Sequence, residues 1–172
     1  RYFINNLGIG FDAAVVERAN QSPWKKRLNR WGLGHLSYLA TTLGAFFRQN
    51  DFQMTLMNGD TYRQIPSAFL VTITNQPFFG GGIALLPEAD LSHEGFDLIV
   101  TDKLSFFQFL KLFIALKKDG QHLASPHITR IPLQRGAQIH VRDMQPGQID
   151  GETLCKSTFS LTIDFHTYPF WL

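Results

Sequence analysis

The tripeptide Asn58-Gly59-Asp60 stands between two β-prone runs, 52–57 and 61–65, and restricts the fold more than any other stretch. A glycine beside Asn or Asp lets the backbone reverse within two residues, so the flanking runs pair as an antiparallel hairpin. The run 68–74 (Ala-Phe-Leu-Val-Thr-Ile-Thr) reads as a strand buried on both faces at its centre. Further strands are predicted at 2–4, 96–100, 128–132, 138–142 and 157–165. Two helical patterns interrupt them. Leu36, Leu39, Ala40, Leu43, Phe46 and Phe47 share one face at three- and four-residue steps, predicting a helix that runs to about Gln49. Ser105 and Gln108 form a capping box at the head of a helix over 105–118, with Lys117 and Lys118 suited to its C-terminal dipole and Gly120 placed to close it. Strands outnumber helices, so the predicted class is α+β, mainly β: a two-layer antiparallel β-sandwich-like domain with two amphipathic helices.

A length of 172 residues suits one domain, 1–172, and 44% hydrophobic content with 16 phenylalanines excludes disorder. The net charge of +2 gives no reason to expect nucleic acid as a partner. A single cysteine, Cys155, excludes a disulfide framework or cysteine-rich zinc site and fits a reducing compartment. There is no signal peptide and no apolar run long enough to cross a bilayer. The 6 histidines lack metal-ligand spacing and read as surface or satisfied residues. The chain opens at Arg1-Tyr2-Phe3-Ile4, mid-strand and without methionine, as a piece of a longer chain would. Lys25, Lys26, Arg27 and Arg30 lie between Trp24 and Trp31, a pattern that suits an anionic membrane surface and equally a solvated segment.

Several stretches could carry chemistry. Asp150 and Glu152 flank Gly151, and on a strand residues two apart face the same way. Paired carboxylates share a proton, bind Mg²⁺, or leave one basic enough to deprotonate a hydroxyl. Asp150-Gly151 is also a good hairpin turn in its own right. Near the start, Gly8 and Gly10 permit a tight turn before Asp12, which could cap a helix; a third glycine of a dinucleotide fingerprint is missing. Asn75 leads to Gly80-Gly81-Gly82, where the backbone must approach something closely, either phosphate or another strand. The acidic stretch 87–95 could hold Mg²⁺ with the help of backbone carbonyls, although its spacing is not that of an EF-hand. The helix at 105–118 has a narrow polar stripe, so it is either packed on a sheet or borders a greasy cavity.

Four motifs in order then carry a resemblance: Asn5-x-x-Gly8-x-Gly10-Phe11-Asp12-Ala13; Asn75 with Phe79-Gly80-Gly81-Gly82; Pro87-x-Ala89-x-Leu91 with Glu94-Gly95-x-Asp97-Leu98; and Asp150-Gly151-Glu152. Over essentially its whole length the chain resembles the C-terminal domain of the bacterial diacylglycerol kinase-like lipid kinases, relatives of sphingosine kinases and more distantly of NAD kinases. The resemblance implies a two-domain enzyme that transfers the γ-phosphoryl of ATP to a lipid hydroxyl with Mg²⁺. It places most of the nucleotide site in an N-terminal domain bearing a Gly-Gly-Asp-Gly-Thr motif, which these residues lack, so this half alone is expected to be inactive. It makes Asp150 the base for the lipid hydroxyl with Glu152 as its partner; in the sphingosine-kinase branch the pair is associated with nucleotide phosphates and Mg²⁺ instead. It assigns Asp12, Asn75, Gly80, Gly81 and Gly82 to substrate, and the Leu91 and Phe96 carbonyls with the Glu94 carboxylate to Mg²⁺. Aspartate is usual where Glu94 stands. A cytoplasmic enzyme on the membrane periphery is expected, with its own N-terminal domain and lipid as partners and homodimerisation left open. Two alternatives stand beside it: a non-catalytic lipid-binding β-domain, and an NAD-kinase-like enzyme for a soluble substrate.

Overall fold

The computed structural model describes residues 1–21, 41–79, 83–89, 95–116 and 120–166. The chain lays down β1 (Asn6–Gly10), α1 (Phe11–Gln21), β2 (Phe52–Asn58), β3 (Thr61–Ala68), β4 (Leu70–Thr74), β5 (Phe78–Phe79), β6 (Ile83–Ala84), β7 (Phe96–Thr101), α2 (Phe106–Ala115), β8 (Ile128–Leu133), β9 (Ala137–Ile149) and β10 (Glu152–Ile163). Residues 41–46 are also helical, and a 3-10 turn spans Gln121–Ala124. The α+β, mainly β class is therefore the observed one, with a single large antiparallel sheet curled into a half-barrel.

The layering comes from β9. Along one edge it pairs with β10 over most of its 13 residues. Along the other it pairs first with β2, from Gln138 to Val141, and then with β1, from Gly147 to Ile149. The sheet thus divides beyond β9 into a wing of β2 and β3 and a longer wing of β1, β4, β7 and β8. The free ends are drawn together again at Asn58, whose amide donates to the Pro132 carbonyl at 2.9 Å and accepts from the Gln134 N–H at 2.7 Å. The aliphatic core fills the space between the wings. Alternate residues point into it: Phe52, Met54 and Leu56 from β2, Val71 and Ile73 from β4, Leu98 and Val100 from β7, Ile139 and Val141 from β9.

A second core is aromatic and lies under the helices. Phe11, Phe46, Phe69 and Phe109 meet with ring centroids 4.4–6.4 Å apart, spacings at which offset and edge-to-face pairs add to simple burial. Helix α2 begins as its sequence requires. The Ser105 side chain accepts from the Gln108 N–H while the Gln108 side chain accepts from the Ser105 N–H. One face of α2 is buried through Phe109, but Phe106, Phe107, Leu110 and Ile114 are exposed together with Phe47. Lys117 and Lys118 lie outside the described residues, as do Trp24 to Trp31, the part of the expected helix before residue 41, and Gly80, Gly81, Gly82, Leu91 and Glu94.

Three local expectations are corrected. The first strand is Asn6–Gly10, not 2–4, because the glycines at 8 and 10 belong to the strand itself. Gly120 is left-handed, as expected, but it opens the 3-10 turn. And β9 continues through Pro146 to Ile149, past the predicted end at 142. A central proline removes one ladder donor, and β10 answers with register shifts between Leu154, Ser157 and Phe159, opposite that stretch.

Candidate active site

The site is built where the N-terminal end of β1 meets the β9–β10 turn. Asp150 and Gly151 form that turn, joining Ile149 to its partner Glu152, and both have positive φ (49° and 86°). This is the requirement of a type I′ connection and the reason Asp-Gly occurs in it. The expectation that Asp150 and Glu152 share one strand face is thereby overturned: Asp150 occupies the turn and Glu152 opens the following strand, exposed.

The Asp150 carboxylate is committed to the backbone. Oδ2 accepts from the Ile4 N–H at 2.8 Å, and Oδ1 accepts from the N–H groups of Asn5 and Asn6 at 2.7 and 3.0 Å. In return the Asp150 N–H donates to the Asn6 carbonyl at 2.9 Å. A carboxylate offers about four acceptor sites, so about one remains, on Oδ2, for a substrate proton.

Beneath this turn lies a buried polar chain. β1 brings Gly8 directly opposite Gln148. A Cβ on Gly8 would lie 1.8 Å from the Asp12 Oδ2 and 2.7 Å from the Gln148 Nε2, so the strand carries glycine there because two side chains occupy that space. Asp12 stands in the first turn of α1 and is 4% exposed. Its carboxyl, ordinarily near 3.8, is pushed up to about 7 by burial, with the Gln148 hydrogen bond opposing the rise. Gln148, 1% exposed, donates from Nε2 to Asp12 at 2.8 Å and to the Asn6 side chain, and its Oε1 accepts from the Gly151 N–H at 2.8 Å. Sequence reading left Gln148 and Asn6 unassigned. The available signal was Gly8, since a glycine inside a strand marks something that comes close.

The other expected residues are less concentrated. Asn75 follows the last residue of β4, Thr74, which pairs with Asn6 and donates to the Asn5 carbonyl at 2.9 Å, so Asn75 borders the same corner. Its Oδ1 is buried and finds no hydrogen-bond donor among the described residues. Phe96 opens β7, its ring against Phe3 and Phe165. Among the described residues no group of three or more His, Cys, Asp or Glu side chains could hold a metal. His122 is buried, with Nε2 2.8 Å from the Leu85 carbonyl and Nδ1 unpaired among the described residues. No helix of the described residues is long and apolar enough to cross a membrane.

The architecture is that of an antiparallel β domain closed into a half-barrel, with its polar corner at one turn and its aromatic cluster under the helices. Residues 5–166 match the family model described as the YegS C-terminal NAD kinase beta sandwich-like domain, and the chain belongs to that family. It is 27% identical over 160 residues to a Bacillus subtilis protein named "Putative lipid kinase YtlR", covering 93% of this chain and 51% of that protein. It is 26% identical over 158 residues to a Mycobacterium tuberculosis protein named "Diacylglycerol kinase", covering 90% of this chain and 47% of that one. Its fold is similar to the crystal structure of a "putative diacylglycerol kinase" from Bacillus anthracis, with a TM-score of 0.59 at 18% identity, over 93% of this chain and 49% of that one. The chain spans about half the length of the relatives it matches.

Proposed function

We propose that this domain belongs to an ATP-dependent lipid kinase and supplies the base that deprotonates a lipid hydroxyl, of diacylglycerol or a related lipid. The observation that carries the reading is Asp150, held at the rim of the sheet by three N–H donors with an acceptor site left over. In the step envisaged, the hydroxyl proton passes to Asp150 Oδ2 as its oxygen forms a bond to the γ-phosphorus, and the bond to the departing ADP oxygen breaks. Phosphoryl transfer asks mainly for positioning and charge neutralisation, and a fixed carboxylate provides the first. The Asn75 Oδ1, at the same corner and without a donor among the described residues, suits a hydroxyl donor better than an anionic phosphoryl group. The exposed Phe47, Phe106, Phe107, Leu110 and Ile114 suit an acyl chain or the membrane that holds it. The kinase names of the relatives support the same class. ATP and Mg²⁺ would be held mainly by an N-terminal domain, the metal neutralising phosphate charge when bound.

The test is Asp150→Asn in the full-length enzyme, assayed with ATP and diacylglycerol vesicles. Loss of a base lowers kcat by at least ~10²-fold with little change in the KM for ATP. A kcat for the folded fraction close to wild type would sink the base assignment. One observation favours a second reading, in which Asp150 is only a clasp: its three backbone bonds suffice for a structural role. On that reading the variant loses stability, by about 1 kcal/mol, and keeps its turnover.

A further inference from the structure

We propose that Gln148 is a positioning residue: it ties the buried Asp12 and Asn6 side chains to the backbone of the Asp150–Gly151 turn and so fixes where the Asp150 carboxylate points. This rests on the reading of Asp150 as the base.

The turn needs external support because of its geometry. Both of its residues hold positive φ, and for Asp150, which has a Cβ, that backbone state is strained. Strain of this kind persists only where neighbouring groups over-determine the conformation. Two sets of bonds do so here. One is the Asp150 carboxylate itself, spread over the N–H groups of Ile4, Asn5 and Asn6. The other comes from below, where Gln148 Oε1 takes the N–H of Gly151 at 2.8 Å. The two sets meet at Asn6, whose N–H and carbonyl bond Asp150 while its side chain accepts from Gln148.

Gln148 can do this because its amide is bipolar and immobile. Nε2 has two hydrogens, and both have acceptors, one on Asp12 and one on Asn6. That leaves Oε1 no choice of orientation, and it faces the turn. Asp12 is itself fixed, by burial in the first turn of α1 and by the space left at Gly8. Helix α1 is thereby linked to the backbone of the Asp150–Gly151 turn, at Gly151, through one side chain. A base acts efficiently only within a narrow range of position and angle, and a misplacement of about 1 Å costs about 10²-fold. An amide without reacting chemistry can therefore weigh on turnover.

The experiment uses the full-length protein with Gln148→Met, which keeps the length of the side chain and removes all three bonds, and Gln148→Glu, which keeps an acceptor for Gly151. Turnover is measured with ATP and diacylglycerol vesicles, and amide hydrogen exchange is followed over 2–10 and 148–154, with β2, β4 and β7 as the internal reference. Expected for Gln148→Met are a kcat about 10- to 100-fold lower with the KM for ATP unchanged, and exchange about ten-fold faster at the turn while β2, β4 and β7 exchange as before. Gln148→Glu loses both Nε2 donors and sets a second carboxyl against Asp12, so it should be impaired in both readouts as well. If Gln148→Met does not fold, Gln148→Glu must still show faster exchange at the turn and lower kcat. A folded variant with kcat within about two-fold of wild type, or with unaltered exchange at the turn, overturns the proposal. Failure of the wild-type protein to phosphorylate lipid would instead sink the kinase reading, and the exchange data would still decide the role of Gln148.

Discussion

The polar corner and the aromatic cluster solve the same problem, joining a helix to the sheet, by opposite means. At the corner α1 is attached through Asp12 and Gln148, with each hydrogen bond directional and the space between them set by a missing Cβ at Gly8. Under α2 the attachment is a set of phenylalanine rings with centroids 4.4–6.1 Å apart and interplanar angles from 31° to 85°, with no single geometry demanded. The corner is therefore specified by position and the cluster by volume. One tolerates almost no change of shape, and the other tolerates exchange of similar side chains.

The largest effect expected separates two neighbours on α2. Phe109 is 7% exposed and central to the ring cluster, whereas Phe107 is 80% exposed. Phe109→Ala should cost about 3–5 kcal/mol, and Phe107→Ala should lie within about 0.5 kcal/mol of wild type. Urea unfolding of the two variants checks this, and equal losses would show that the outer rings belong to the core. Next comes Gly8→Ala. The added methyl must displace Asp12 and Gln148 together, so stability should fall by about 2–3 kcal/mol, more than a glycine-to-alanine change elsewhere on a strand. A neutral result in the same unfolding experiment would mean that the corner can relax and that position is not what specifies it.

The smallest effect concerns Asp12. Its carboxyl is raised from 3.8 to about 7 on folding, so the folded chain binds a proton that the unfolded chain releases across that interval. The stability this contributes is complete below about pH 3.8 and is lost as pH rises through about 7. Between about pH 5 and about pH 8 wild type should lose on the order of 2 kcal/mol from this group. Asp12→Asn keeps an acceptor for Gln148 and has no proton to lose. Its stability should fall less than wild type over the same range, and parallel pH profiles would show that Asp12 is not the titrating group.

Sequence patterns reached the two regions unequally. Helix α2 is open to reading, because the Ser105–Gln108 box and the run of Phe and Leu at helical spacing are local signals, whereas its packing against Phe11, Phe46 and Phe69 is not. The β2–β3 hairpin was visible for the same reason, with Gly59 at positive φ in the first turn position. The segment Asp150-Gly151-Glu152 suits both a turn and a strand-borne pair of carboxylates, and the turn is what forms. The rest of the corner depends on partners 136–146 positions apart in sequence, and no periodicity reports such pairings. Helix α1 announces itself in the sequence only as a possible cap at Asp12, since Glu17, Arg18 and Asn20 interrupt the apolar spacing. The length of β9 was hidden by Pro146 and Gly147, residues that ordinarily end a strand.

The position of β1 has a consequence for how the domain comes into being. It is the first of the described strands in chain order, yet it sits between β4 and β9, and its partner Ile149 belongs to the ninth. Closing so long a loop is entropically slow, and contacts of this range raise the contact order. During synthesis β1 must wait, with one edge unpaired, until β9 has left the ribosome. The β9–β10 hairpin, being local, can form on its own and then capture β1 along the edge opposite β10. The bonds that Asp150 accepts from Ile4, Asn5 and Asn6 can form only after residue 150 has been made, and any chain that ends before it lacks them entirely. The acceptor at the rim exists only once the domain is whole.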